Sequence, residues 1–142
     1  MASLPMTVGD LTSIGLANPA AGAEVVYVPA TGTRIKIRAM QFVFTTAVAV
    51  ANRYVWYKLT ATPYDTGLLV HPTAQTASLV WTYSLIPGFK STPYAVGLYA
   101  IMPWDPDIQF DPSHRLHIGA VSMQAADQIS DITLYIEQWI DD

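Results

Sequence analysis

From residue 23 onward, the apolar residues of this chain recur at every second position, a period that points to strands. Within 76–86, Ala77, Leu79, Trp81, Tyr83 and Leu85 fall on one face and Thr76, Ser78, Thr82 and Ser84 on the other. Within 114–122, Leu116, Ile118 and Ala120 line up. Within 129–140, Ile132, Leu134 and Ile136 stand opposite Thr133, Tyr135 and Glu137. Such alternation, rich in β-branched and aromatic residues, marks half-buried strands. No long stretch has a helical period, and all ten prolines fall outside strand interiors, as a hydrogen-bonded ladder requires. The strands read as 24–28, 33–45, 53–60, 67–71, 76–86, 96–102, 114–122 and 129–140. Long connections and the absence of Asn-Gly or Asp-Gly two-residue turns argue against a meander of tight hairpins. The reading is all-β: an eight-stranded antiparallel jelly-roll β-sandwich.

Two strands carry more information. In 33–45 the even positions begin basic (Arg34, Lys36, Arg38) and end apolar (Met40, Phe42, Phe44), while the odd positions run Ile35, Ile37, Ala39, Gln41, Val43. Either a bulge flips the strand near Ala39–Gln41, or one face passes from solvent into a covered zone. The strand 53–60 is apolar on both faces and so needs cover on both, from an arm, a loop or another subunit. Gly97 and Gly119 sit inside strands and mark bulges or close backbone approach.

Residues 1–22 differ. They hold Pro5, Pro19, three glycines and one charge, Asp10. Leu4, Met6, Leu11, Ile14 and Leu16 follow no clean period. The division is therefore an extended N-terminal arm, 1–22, and one sandwich domain, 23–142. The chain of 142 residues is long enough for a single domain with a sizeable core.

Charge then narrows the function. Charged residues make up 13% of the chain, against about 25% in a typical soluble domain. A surface this poor in charge can lie against other protein with little to desolvate. The net charge of −4 argues against a nucleic-acid or anionic-membrane binder. No apolar run is long enough to span a membrane as a helix, and the N-terminus lacks the pattern of a signal peptide. Synthesis in a cytoplasm is expected. There is no cysteine, hence no disulfide, thiolate metal site or Cys nucleophile.

Candidate chemistry is sparse. Asp105, Asp107 and Asp111 lie within seven residues and have the oxygen ligands a hard cation takes, but the full calcium-loop pattern is missing. A solvated, Pro-stiffened loop with Asp side chains making local turns is the preferred account, and the cation site a weak candidate. His114 and His117 are three apart and would face opposite ways on a strand, and His71 is isolated. No nucleophile elbow, phosphate loop or dinucleotide fingerprint occurs. The reading is not an enzyme, and no cofactor is expected. Four of the seven basic residues are Arg34, Lys36, Arg38 and Arg53, and eight of the eleven acids lie from Asp105 onward. This fits cross-strand pairing or a head-to-tail contact between subunits. Tyr54, Trp56, Trp104 and Phe110 join Arg34, Lys36 and Arg38 as candidate interface residues. Trp104, between Pro103 and Asp105, is the best candidate for an exposed anchor. Uncharged surface is expected at the arm, around Trp104 and on one flank of the sandwich.

Three stretches, FVFTTAVAVANR (42–53), TAQTASLVWTYSLIPG (73–88) and AADQISDITLYIEQW (125–139), resemble in wording and order a group of small virion structural proteins of tailed bacteriophages. The likeness spans roughly residues 33–140. Ala47 stands where relatives often have Ser, and Gln138 where they have Glu. The resemblance implies a jelly-roll subunit on the capsid exterior of a virion, most simply a decoration or cement protein. It implies a homotrimer bound to the major capsid protein, with Leu4, Met6, Leu11, Ile14 and Leu16 as a capsid-binding arm dispensable for folding. Another virion role (head fibre, neck, tail or glycan-binding spike) is the first alternative, and a small metal-dependent enzyme the second.

Overall fold

The computed structural model describes residues 9–61, 64–91 and 99–140. Ten strands lie among them: β1 (Asp10–Leu16), β2 (Val25–Tyr27), β3 (Thr33–Thr45), β4 (Tyr54–Ala61), β5 (Tyr64–Val70), β6 (Val80–Ile86), β7 (Tyr99–Pro103), β8 (Gln109–Phe110), β9 (His114–Val121) and β10 (Gln128–Ile140). No helix occurs among the described residues. One sheet runs β1-β10-β3-β6-β7, with β8 beside β3; the other runs β2-β9-β4-β5. Every pairing is antiparallel except β6 with β7, which is parallel. The expectation of eight strands, all antiparallel, is corrected on both counts. Parallel neighbours need a connection of about a dozen residues, and residues 87–98 supply it. The inner faces share one core, in which Ile37, Phe42, Tyr83 and Leu134 from the larger sheet meet Val55, Leu116 and Ile118 from the smaller.

Two bulges explain the change of face along β3. On β10, Asp131 and Ile132 together oppose Phe42, and Asp131 takes a left-handed backbone at φ 50°. On β3, Arg38 is the extra residue between the pairs Tyr135↔Ala39 and Ile136↔Ile37. Each bulge flips the inward phase of its own strand, because side chains alternate. Ile35 and Ile37 therefore point inward before Arg38, and Met40, Phe42 and Phe44 after it. The bulges lie on opposite strands and cancel, so β3 and β10 leave the pair in the register in which they entered it. Of the two explanations the sequence allowed, the bulge is the one observed, centred on Arg38.

The N-terminal segment is not a free arm over its described part. β1 pairs with β10 along its whole length, and Ile14 and Leu16 pack against the core while Leu11 is exposed. Side-chain bonds secure the residues just after β1: Gln128 Nε2 donates to the Pro19 carbonyl, and the Asp131 amide donates to Asn18 Oδ1. The division at residue 22 moves accordingly, because residues 10–16 are an edge strand of the larger sheet. Leu4 and Met6 lie outside the described residues, as does Gly97.

The core covers one face of β4, and the other stays half-exposed. Val55 and Leu59 face the core, and Trp56, on the other face, lies across Gly119 of β9. A Cβ at Gly119 would sit 2.7 Å from Trp56 Cζ2, so glycine here makes room for the indole. Gly119→Ala is expected to cost about 1–3 kcal/mol in urea unfolding, as overpacking does. The cost should shrink when Trp56→Leu is added; an equal cost in both backgrounds would contradict the contact.

Candidate functional site

The most organised polar cluster among the described residues is buried. Arg53, at the start of β4, and Asp127, just before β10, are both fully inaccessible. Arg53 Nε donates to Asp127 Oδ2 at 2.9 Å and its Nη2 to Oδ1 at 3.0 Å, a two-pronged pair. The carboxylate also accepts the amides of Ala47 and Gln124, each at 2.7 Å. The Arg53 backbone exchanges hydrogen bonds with Gln75. Gln75, itself fully buried, donates from Nε2 to the carbonyls of Phe44 and Leu79 and accepts from the Tyr83 hydroxyl at 3.0 Å. Thr46 closes the cluster, its hydroxyl donating to the Thr76 carbonyl and accepting the Leu79 amide. His71, buried, packs edge-on against Tyr83.

The members come from three separate segments: Thr46, Ala47 and Arg53; Gln75, Thr76 and Leu79; Gln124 and Asp127. These segments match the three stretches, 42–53, 73–88 and 125–139, that carry the resemblance, with Gln124 one residue outside. All are held as structure: the side chains of Arg53, Gln75 and Asp127 are enclosed and paired with one another's segments, and the cluster presents no open face for a substrate. Burial alone would raise the Asp127 carboxyl, but the Arg53 guanidinium and the Ala47 and Gln124 amides outweigh it and hold it below the usual carboxylate range. Burial likewise pushes the Tyr83 phenol well above its ordinary value.

What the cluster holds up is the loop 46–52. Its root is pinned at Ala47, whose amide reaches Asp127 and whose carbonyl takes the Ser78 amide, and at Ala51, whose carbonyl takes Arg53 Nη1 at 2.9 Å. Between these pins Val48 and Val50 stand 84% and 98% exposed. The sequence reading missed this loop. The signal was present: two valines among small residues, followed by an arginine at the head of an apolar strand.

The candidate interface residues fall in three places. Arg34, Lys36 and Arg38 lie toward one end of the outer face of the larger sheet, where Arg38 pairs with Glu137 on β10 and, at 3.6 Å, with Asp107. That guanidinium first, and the Gly9 amide second, hold the Glu137 carboxyl below the usual range. Lys36 sits 5.8 Å over the Trp139 ring. These two basic groups thus find partners within the chain. Tyr54 and Trp56 lie on the outer face of the smaller sheet. Trp104 and Phe110 are corrected: both are core residues, 4% and 1% exposed. The reason lies in the gap between β8 and β6 along β3. β8 covers β3 at Ile35 and Lys36, and β6 covers it from Met40 onward. This leaves the Ile37 carbonyl without a strand partner on that side, and Trp104 Nε1 donates to it at 2.6 Å. A side chain that satisfies a buried carbonyl must itself be buried.

The acidic loop makes turns. Asp105 Oδ1 accepts the Asp107 amide, and Asp111 Oδ1 accepts the Ser113 amide and hydroxyl and approaches His114 Nδ1 at 2.9 Å. Among the described residues no group of three or more acidic or histidine side chains is placed to hold a metal ion. No family model matches the chain, and no curated protein matches it either.

Removing one partner of the buried pair leaves the other charge stranded. Arg53→Met or Asp127→Ala is therefore expected to cost about 3–5 kcal/mol in denaturant unfolding. Because the folded carboxyl titrates below its unfolded value, the pair's contribution is complete above the unfolded value and lost as pH falls through the folded one. Wild-type stability should thus decline below about pH 4, and the decline should flatten in the Arg53→Met variant.

Proposed function

We propose that the chain is a non-enzymatic jelly-roll subunit of a tailed-phage virion, acting as a capsid decoration (cement) protein. The strand pairs β1 with β10, β2 with β9, β3 with β6 and β4 with β5 are nested, as when one long hairpin is wound into two four-stranded sheets. This nesting supports the jelly-roll reading, with β7 and β8 as additions between the sixth and seventh strands of the winding. On this reading β1 is the first strand of the winding rather than an arm.

The observation that carries the functional reading is the outer face of the larger sheet. Its middle is made of Gln41, Val43, Thr82, Ser84, Ile101 and Thr133, all uncharged, with the single carboxylate Asp131 exposed at the β10 bulge beside them, and Tyr99 and Tyr135 stand exposed on it. Such a face can be covered by protein with little charge to strip of water. As a cement, each copy would bury about 1,600 Å² per standard contact across capsomer seams. Because it binds the assembled state, it would stabilise the shell by linkage. The resemblance adds the major capsid protein and sister subunits of a homotrimer as partners.

Cryo-microscopy of purified virions tests this directly. The expected outcome is density for the chain on the shell exterior, bridging capsomers. Density at the neck, tail or a fibre would overturn the cement role in favour of another virion role, and absence of the chain from the particle would overturn both.

A further inference from the structure

We infer that the loop 46–52 is a plug that seats in an apolar cleft on a second copy of this chain, joining subunits head to tail. The cleft has a volume of about 220 Å³ and opens between β4, β5 and the segment after β7. It is lined chiefly by Tyr57, Leu59, Leu68, Leu69, Trp104 and Ile108. Small-molecule sites run to roughly 300–1,000 Å³; this one has room for a pair of branched side chains instead. Its one charged lining residue, Asp105, has an oxygen engaged by the Asp107 amide.

Both parts are set before they meet. The Tyr57 hydroxyl donates to the Pro103 carbonyl at 2.8 Å, and Trp104 is fixed by the Ile37 carbonyl and by edge-on contact with Tyr57. The plug is held by Asp127, Ser78 and Arg53, and residues 46–52 carry no charge. Contacts between parts already ordered lose little conformational freedom on binding. A single exposed valine is ordinary. Two of them at 84% and 98% exposure stand together on one loop whose root is fixed by a buried ion pair.

The occupant is a second copy because one chain carries both halves and cannot join them itself. The loop projects from the start of β4, while Tyr57 and Leu59 lie three and five residues along the strand, about 10–17 Å away. An apolar tip and an apolar cleft at different places on one molecule form a heterologous contact, which closes as a ring or runs on as a filament. This deepens the self-association in the reading above, names its contact, and rests on that part of the reading alone.

The chain has no cysteine, so introduced ones report cleanly. Two variants, Val50→Cys and Leu68→Cys, are made singly and together, with wild type and Val48→Asp/Val50→Asp run in parallel by light scattering. All three positions are more than half exposed, and circular dichroism should show an unchanged fold. The expected results are a wild-type mass that is a multiple of 15.5 kDa and self-association weakened at least tenfold by the aspartates. The mixed single-cysteine proteins should give a heterodimeric disulfide on oxidation, and the double variant a covalent ring or ladder. An oligomer that survives the aspartates, or cysteine variants that oligomerise without cross-linking on oxidation, would overturn the plug while leaving self-association standing. A wild type that stays monomeric at high concentration overturns both, and whether the chain sits on virions is decided separately by microscopy.

Discussion

The buried pair of Arg53 and Asp127 is the interaction on which the rest depends. Two ions removed from water are costly unless their geometry is good and their remaining donors and acceptors are filled. Here the carboxylate takes four hydrogen bonds, two from the guanidinium and two from amides. The Gln124 amide closes a local turn with Asp127, but Ala47 and Arg53 come from a loop far away in sequence, so the pair works as a tie between segments. A hydrophobic replacement could fill the space, but it could not fix the direction of the loop backbones. A chain with so little charge that buries two of its ions completely is using them for placement.

A second polar device does the same for the opposite half of the sandwich. The bulge at Arg38 turns β3 over and sets a guanidinium between Glu137 and Asp107, while the gap between β8 and β6 leaves the Ile37 carbonyl to Trp104. The loop after β7 is thereby laid against β3, and the cleft beside Tyr57 takes its shape from it. One tie presents the apolar tip and the other forms the apolar cleft. The compensating bulge at Asp131 lets both exist without shifting the register of the central strands.

Much of this was legible in the residues. The strand 33–45 showed its anomaly, because its apolar positions change parity; the residues left open a bulge or a covered end, and the pairing with β10 decides for the bulge. All eight expected strands have counterparts among the ten. β1 was hidden by its position: as an edge strand it buries only Ile14 and Leu16, and two residues make no period. The short β8 has two residues and offers no pattern at all. Trp104 and Phe110 were misplaced because a loop tryptophan reads as exposed unless one knows that a strand carbonyl nearby lacks a partner. That depends on where β6 and β8 end. The polar cluster was missed for a similar reason: Arg53, Gln75 and Asp127 are ordinary singly and acquire meaning only when the fold brings three stretches together.

Amide hydrogen exchange on the Asp127→Asn variant, compared with wild type, tests the dependence on this pair most directly. If Arg53 and Asp127 tie the three stretches into one unit, protection should fall together at Ala47, Gln75 and Gln124, while the amides pairing β4 with β9 keep theirs. Loss confined to Gln124 and its neighbours, with Ala47 and Gln75 unchanged, would contradict the account.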